Sequence, residues 1–244
     1  MSSGEAIALV ALLLGGAAQS ATGFGFAVVA APVLTAVYAP RQAVPTLAVV
    51  GICVSLLILI GEGHRPRPLP KTTATLIAAS IPGTVIGALV LAAASTQLLR
   101  ALVAVAVLGA VAARAVRPRR VVAAHTGETT IAGVLAGAFG ATTGLNGPPL
   151  VLLMLRRAVA PDRSRDTLNA AFVVFDGLII VTLAIGGTLD LVGATPLLLV
   201  VAAVGQVGGR SLRPAVAARQ ESVSLTLLGL SGAVALGSAL GLLP

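Results

Sequence analysis

Apolar residues run along the chain in eight long stretches, with short polar or basic loops between them. The stretches are roughly Ala6–Tyr38, Val44–Ile60, Thr72–Ala94, Leu98–Ala113, Thr129–Val159, Thr167–Gly186, Thr195–Gly209 and Ser222–Leu243. Most are near the ~20 residues that a helix needs to cross a ~30 Å hydrocarbon core. The first and fifth are longer and are interrupted, by "QSATGFGFA" and by "FGATTGLNGPP", which crowd Gly, Thr, Asn and Pro into apolar sequence. This pattern predicts an all-α polytopic membrane protein.

The pattern repeats. With a shift of 121 residues, "TGFG" at Thr22–Gly25 falls on "TGLN" at Thr143–Asn146, and "APRQAVPTL" at Ala39–Leu47 falls on "APDRSRDTL" at Ala160–Leu168. With a shift of 122, "GTVIG" at Gly83–Gly87 meets "GQVGG" at Gly205–Gly209. Shared Thr-Gly and Ala-Pro spacing at one offset points to internal duplication. The chain reads as a single integral membrane domain over 1–244, with repeat 1 over 5–113, a basic linker over 114–127 and repeat 2 over 128–243. Each repeat is then a broken or re-entrant helix followed by three transmembrane helices.

Composition strengthens the membrane reading. Hydrophobic residues make up 57% of the 244 positions and charged ones 10%, against about 25% charged in soluble domains. Mean hydropathy is +1.04. The single Cys53 excludes an internal disulfide and a cysteine metal cluster. His64 and His125 fall in loops with no converging ligands, so neither a metal nor any other cofactor is expected. The N-terminus has no basic n-region and reads as mature sequence, not a cleaved signal.

The net charge of +8 comes from sixteen basic residues set in short loops, and aromatics are only 2%. No stacking platform accompanies the charge, which excludes nucleic acid as a partner. If all eight stretches crossed the membrane, seven basic residues would face nine. If the first and fifth are re-entrant, fourteen collect on one side and leave Arg41 and Arg100 on the other. That is a positive-inside signal. Two stretches that each cross twice give the same partition, but Ala6–Ser20 as a helix is only about 22 Å long, which favours re-entrance. The repeats are then inverted, in the cell membrane, with the basic loops cytoplasmic and both termini outside.

Inverted repeats with discontinuous helices are the architecture of secondary transporters, with the substrate at the breaks. Irregular backbone at that depth must be buried in protein or line a cavity. The candidate substrate-binding residues are Gln19, Ser20, Thr22, Gly23 and Gly25 in the first break and Thr142, Thr143, Gly144, Asn146 and Gly147 in the second. Asn146 is placed to cap the following half-helix, with Pro148 early in that helix. Both half-helix N-termini are expected to point free N–H groups at a small anionic substrate. Tight-packing kinks are the structural alternative.

Other polar residues inside the spans extend this set. Asn169 and Gln206 are further candidates for the same cavity. Asp176, in mid-span with Ser55 opposite it by the repeat, is the candidate for proton coupling, since a carboxylate there is costly and usually functional; a buried Asp that serves packing is the alternative. Arg210 reads as a topology signal, and the glycine pairs Gly83/Gly87 and Gly205/Gly209 as sites of close helix contact. No Ser/His, Asp/Asp or HExxH arrangement lies in the spans, so an enzyme is not expected. An anion channel, or an importer of an unrelated small anion, remains the alternative to an exporter. The partners expected are the small anion and the lipid bilayer, with a homo-oligomer left open.

The segments "GGAAQSATGFGFAVVAAPVL" and "AGAFGATTGLNGPPLVLLML", each leading into a loop and a Thr-Leu-containing span, resemble the TauE/SafE family of sulfite and organosulfonate exporters. The resemblance extends over essentially the whole chain, including "IPGTVIG". It implies a membrane transporter that exports sulfite, sulfoacetate or related small anions.

Overall fold

A computed structural model describes residues 3–61, 63, 65–115, 125–217 and 237. Among these residues the chain is all-helical: α1 (Ser3–Thr22), α2 (Phe26–Val37), α3 (Pro40–Gly61), α4 (Pro70–Ala93), α5 (Thr96–Ala115), α6 (Thr126–Thr143), α7 (Gly147–Arg156), α8 (Pro161–Ile185) and α9 (Thr195–Ala217). The stretch Ser222–Leu243 apart from Gly237, together with His64, both chain ends, Arg219 and most of the basic linker, lies outside the described residues. Helices α1, α3, α4 and α8 are long and apolar enough to cross a bilayer.

Each interrupted stretch is a helical hairpin. A Cβ at Gly15 would lie 3.0 Å from the Phe26 carbonyl oxygen. Eleven residues of straight helix would separate those positions by about 16 Å, so the chain turns back at the break. The open ends also meet, with Glu5 near enough for its charge to act on the Tyr38 phenol. In the second hairpin, Arg157 at the end of α7 donates to the His125 carbonyl (2.8 Å) and to Thr129 Oγ1 (2.7 Å) beside the start of α6. Arg156 pairs with Glu128 at 3.2 Å. The lengths differ from the sequence expectation: α1 has 20 residues, about 30 Å, and is itself long enough to span. The short legs are α2, with 12 residues, and α7, with 10.

The long legs pack across the two halves. Helix α1 runs alongside α9 and α6 alongside α4. Gly16 lies against the backbone of Ala202 and Gln206, and its counterpart Gly137 lies against Ser80 and Thr84. Gly205 faces the Leu13 carbonyl as Gly83 faces that of Val134, and Gly209 faces Ala17 as Gly87 faces Ala138. Both glycine pairs named from the sequence are therefore close-approach sites, where missing side chains let backbones touch. Residue numbers rise together along both members of each pair, so each pair is parallel.

The duplicated Ala-Pro-x5-Thr-Leu segment has a structural role. Thr46 Oγ1 accepts the Val192 N–H (3.1 Å), and its counterpart Thr167 Oγ1 accepts the Leu69 N–H (3.0 Å). Each threonine holds the loop that leads into a long helix of the other half. Arg41 donates to the carbonyls of Leu91, Ala92 and Ala94 at the end of α4. Arg100 does the same to Thr35 and Ala36 at the end of α2, as cations at helix C-termini favour.

The surface and interior are polarised as lipid requires. Large apolar side chains face outward, among them Ile7, Val10 and Leu14 on α1, Val85, Ile86 and Leu89 on α4, and Val200, Val204 and Val207 on α9. Gln19, Ser55, Asn146, Asn169 and Asp176 are buried. The α6–α4 contact gives a direct test. Gly137→Val pushes carbon into the Ser80 carbonyl and should destabilise by about 1–3 kcal/mol, whereas Gly127, with nothing near its Cβ position, should tolerate valine. Thermal unfolding of the detergent-solubilised protein reads the difference, and equal midpoints would count against the contact.

Candidate functional site

The two breaks share one backbone solution. Gly23 has φ +89° and Gly144 φ +77°, a left-handed conformation that glycine adopts without strain. Each donates its N–H four residues back, Gly23 to Gln19 (2.7 Å) and Gly144 to Gly140 (2.9 Å). The preceding threonines also match. Thr22 Oγ1 donates to the Ala18 carbonyl (2.8 Å) and accepts from Phe24 N–H (3.5 Å). Thr143 Oγ1 donates to the Phe139 carbonyl (2.7 Å) and accepts from Leu145 N–H (3.3 Å). Gly25 and Asn146 then open the short helices with φ −80° at both positions.

The side chains that hold each break differ. At the first, Gln19 Oε1 accepts the Phe26 N–H (3.1 Å), while Gln19 Nε2 donates to Ser55 Oγ (3.2 Å) and Asn169 Oδ1 (3.1 Å). Asn169 Nδ2 donates to the carbonyls of Gly23 (3.1 Å) and Arg165 (2.9 Å). At the second, Asn146 Nδ2 donates to Asp176 Oδ1 at 2.8 Å. Ser55 and Asp176, equivalent by the 121-residue shift, thus each receive an amide from a break, but from non-equivalent donors.

Between the breaks lies a cavity of about 20 Å³, lined by Gln19, Phe24, Phe26, Ala27, Leu47, Gly51, Ser55, Gly144, Asn146, Phe172 and Asp176. That is room for about one water, so a polyoxygen anion needs the walls to move apart. Of the residues named from the sequence, Gln19, Gly144, Asn146 and Asp176 line it. Gly23, Gly25 and Gly147 shape the breaks, with Gly147 packed near Phe172.

Others point elsewhere. The Thr22 and Thr143 hydroxyls are taken by their own helices, and Thr142 Oγ1 donates to the Gly87 carbonyl (3.2 Å) between α6 and α4. Ser20 lies beside Gly209, where α1 meets α9. Asn169 touches the site only through Gln19 and the Gly23 carbonyl. Gln206 is fully buried on α9, and its amide has no partner among the described residues.

Two expectations change. Asn146 occupies the N-cap position of α7 without making a side-chain cap, because the residues whose N–H its oxygen would accept are Pro148 and Pro149; its amide N–H goes to Asp176. The half-helix N-termini do not both offer free N–H groups: Gln19 takes that of Phe26, and Pro148 and Pro149 have none. Sequence reasoning missed Gly51 and Phe172, counterparts under the 121-residue shift. It also missed Arg165, whose Cγ lies 3.1 Å from the Gly23 Cβ position. The repeat offset and a glycine in mid-span were the signals for the first two.

A family model described as Sulfite exporter TauE/SafE matches the chain over residues 7–240. The chain belongs to the TauE/SafE family. Comparison with curated proteins and with solved structures returns no match. TauE/SafE proteins are membrane transporters, not enzymes, and the apolar helices fit a multi-pass membrane protein.

Asn169 is testable as the residue that ties the first break to α8. Asn169→Ala leaves Gln19 Nε2 and the Gly23 carbonyl each short of a partner, which should cost about 1–3 kcal/mol. The thermal midpoint in detergent should fall, and it should fall more than for Thr142→Val, which removes a single bond. An unchanged midpoint would mean that the break holds itself.

Proposed function

We propose that this TauE/SafE protein is a secondary transporter that exports a small anion such as sulfite or an organosulfonate, by alternating access around the two helix breaks. The observation that carries the reading is the cavity between two breaks of the same backbone geometry, 121 residues apart. A scaffold has no need of a duplicated interruption, and broken backbone in the membrane interior is characteristic of substrate sites.

The halves are proposed to be inverted repeats within one membrane domain. Support comes from the helix directions. The start of α1 lies with the start of α9, whose preceding loop is held by Thr46 near the start of α3. The start of α6 lies with the start of α4, whose preceding loop is held by Thr167 near the start of α8. Successive helices reverse, so α1 and α6 run oppositely. The charge partition supports the same orientation, with Arg41 and Arg100 outside, the basic loops cytoplasmic and the N-terminus outside. The site is proposed to comprise Gln19, Gly144, Asn146 and Asp176 with Ser55 and Gly51. Thr22, Gly23, Gly25, Thr143, Gly147 and Asn169 hold the breaks around it.

Topology and transport have separate tests. Cysteines introduced at positions 5 and 190 in the Cys53-free protein should label from outside, and cysteines at 68 and 160 only from the cytoplasm; the same accessibility for all four would refute the inversion. A panel of sulfite, thiosulfate, sulfoacetate and carboxylates in proteoliposomes tests the substrate class. Gly144→Leu, whose Cβ would lie 2.8 Å from Leu47 at a positive φ, should reduce flux to background while the protein still inserts. Normal flux in that variant, or movement of cations alone, would overturn the reading.

A further inference from the structure

The two sides of the cavity between the breaks differ in charge. On the α1–α2 side, the first turn of α2 enters the wall through Phe26 and Ala27, bringing the positive end of a helix dipole. On the α7–α8 side, one of the two Asn146 amide N–H groups is given to Asp176 Oδ1, and Pro148 and Pro149, the second and third residues of α7, have no N–H. Asp176 brings a formal negative charge to that wall when it is ionised, and its Oδ2 is then an acceptor. Asp176 Oδ2 sits 2.5 Å from where a Gly51 Cβ would be, so it occupies the space that glycine leaves in α3.

An ionised carboxylate in that wall opposes any anion in the cavity. Two like charges about 4 Å apart in a partly screened interior weaken binding on the order of a thousand-fold. With a proton on Oδ2, the same atom becomes an O–H donor. It then offers an O–H donor across the cavity from the dipole end of α2, and an oxyanion can be held from both sides.

Among the described residues nothing else near Asp176 supplies compensating charge. Helices α3, α4, α6 and α7 pack against α8. Among the described residues their charged groups lie at helix ends: Arg41 on the carbonyls that end α4, Lys71 in the first turn of α4, Glu128 paired with Arg156, and Arg157 on the His125 carbonyl. On α8 itself, Asp162, Arg163, Arg165 and Asp166 are ten or more residues before Asp176, about 15 Å along the axis. The Cys53 thiol is half-buried and two residues from Gly51, so it points away from the face that meets Asp176. An alkali cation would need several oxygen ligands; besides Asn146 and Asp176 the lining side-chain oxygens are those of Gln19 and Ser55, which already accept from the Phe26 N–H and the Gln19 amide, and the other side chains are Phe24, Phe26, Ala27, Leu47 and Phe172.

We infer that Asp176 holds one proton whenever the anion is bound, so that a monovalent anion and a proton cross the membrane together, in the same direction and without net charge. The inference rests on the anion-carrier reading above and adds the coupling that the site imposes. No bond forms or breaks except that of the proton, which binds Asp176 Oδ2 on one side and leaves on the other.

The test uses proteoliposomes of the full chain with a pH dye inside, a potassium–valinomycin clamp, and methanesulfonate and sulfite as probes. Methanesulfonate has no proton to exchange near neutral pH, so any proton that moves with it belongs to the carrier. An outward methanesulfonate gradient should carry about one proton per anion. An imposed potential of about 100 mV, which shifts the driving force on one charge on the order of fifty-fold, should leave the flux nearly unchanged. Asp176→Asn keeps the shape and removes the titrating group, so proton movement should vanish and any remaining anion flux should follow the potential. Anion flux in the wild-type protein that moves no protons, or that follows the potential, would overturn the inference and leave the carrier reading standing. Proton coupling preserved in Asp176→Asn would do the same. Absence of flux for every anion in the panel, in correctly inserted protein, would overturn the carrier reading and the inference with it.

Discussion

An interrupted helix inside a bilayer leaves backbone N–H and C=O groups that no water can satisfy, and each orphan costs several kcal/mol. Most of the polar chemistry in this chain follows from that constraint. The left-handed glycines and the threonine hydroxyls satisfy the outgoing turn of each break in the same way. The incoming turn is handled differently, by Gln19 on the Phe26 N–H in the first and by prolines that have no N–H in the second. Gln19 and Asn169 are therefore buried for the backbone first, and they shape the cavity as a consequence. Duplicated sequence solved the shared half of the problem, and divergence left the two breaks held by different side chains.

The exchange of long legs between halves has a mechanical meaning on the proposed cycle. Each close pair, α1 with α9 and α6 with α4, joins one helix from each repeat through backbone contacts at glycine. Interfaces of that kind resist sliding because there are no side chains to repack. The short legs α2 and α7 and the central helices α3 and α8 meet through larger side chains around a cavity too small for an oxyanion.

Much of the architecture was legible in the sequence, because a membrane makes hydrophobic length and charge placement speak plainly. The two interruptions, the 121-residue offset and the glycine pairs could all be read directly. The length of α1 could not, because its polar end at Gln19–Thr22 looks like the break itself but stays helical until Gly23 supplies the left-handed turn. The site was legible as a region and not as a set of contacts. Thr22, Thr142, Thr143 and Ser20 are polar residues at a break, yet helix phase turns them toward a carbonyl or a neighbouring helix. Gly51 was invisible for the opposite reason, since its contribution is the absence of a side chain.

The second break shows why a motif's composition and its chemistry differ. "NGPP" was read as a capped helix N-terminus that offers donors to an anion. In the fold, Pro148 and Pro149 follow Gly147 in the first turn of α7 and give the Asn146 oxygen no N–H to cap, while the Asn146 amide N–H binds Asp176. A sequence built to bind an anion by helix N-termini alone would keep those N–H groups, and this one lacks two of them on the wall that carries Asp176, the only carboxylate lining the cavity among the described residues. The α2 side brings the positive end of a helix dipole, while the α8 side brings a carboxylate that opposes an anion unless Asp176 is protonated. On the inferred coupling, anion affinity and proton occupancy are thereby tied to one oxygen atom, in a wall where proline has deleted two backbone donors.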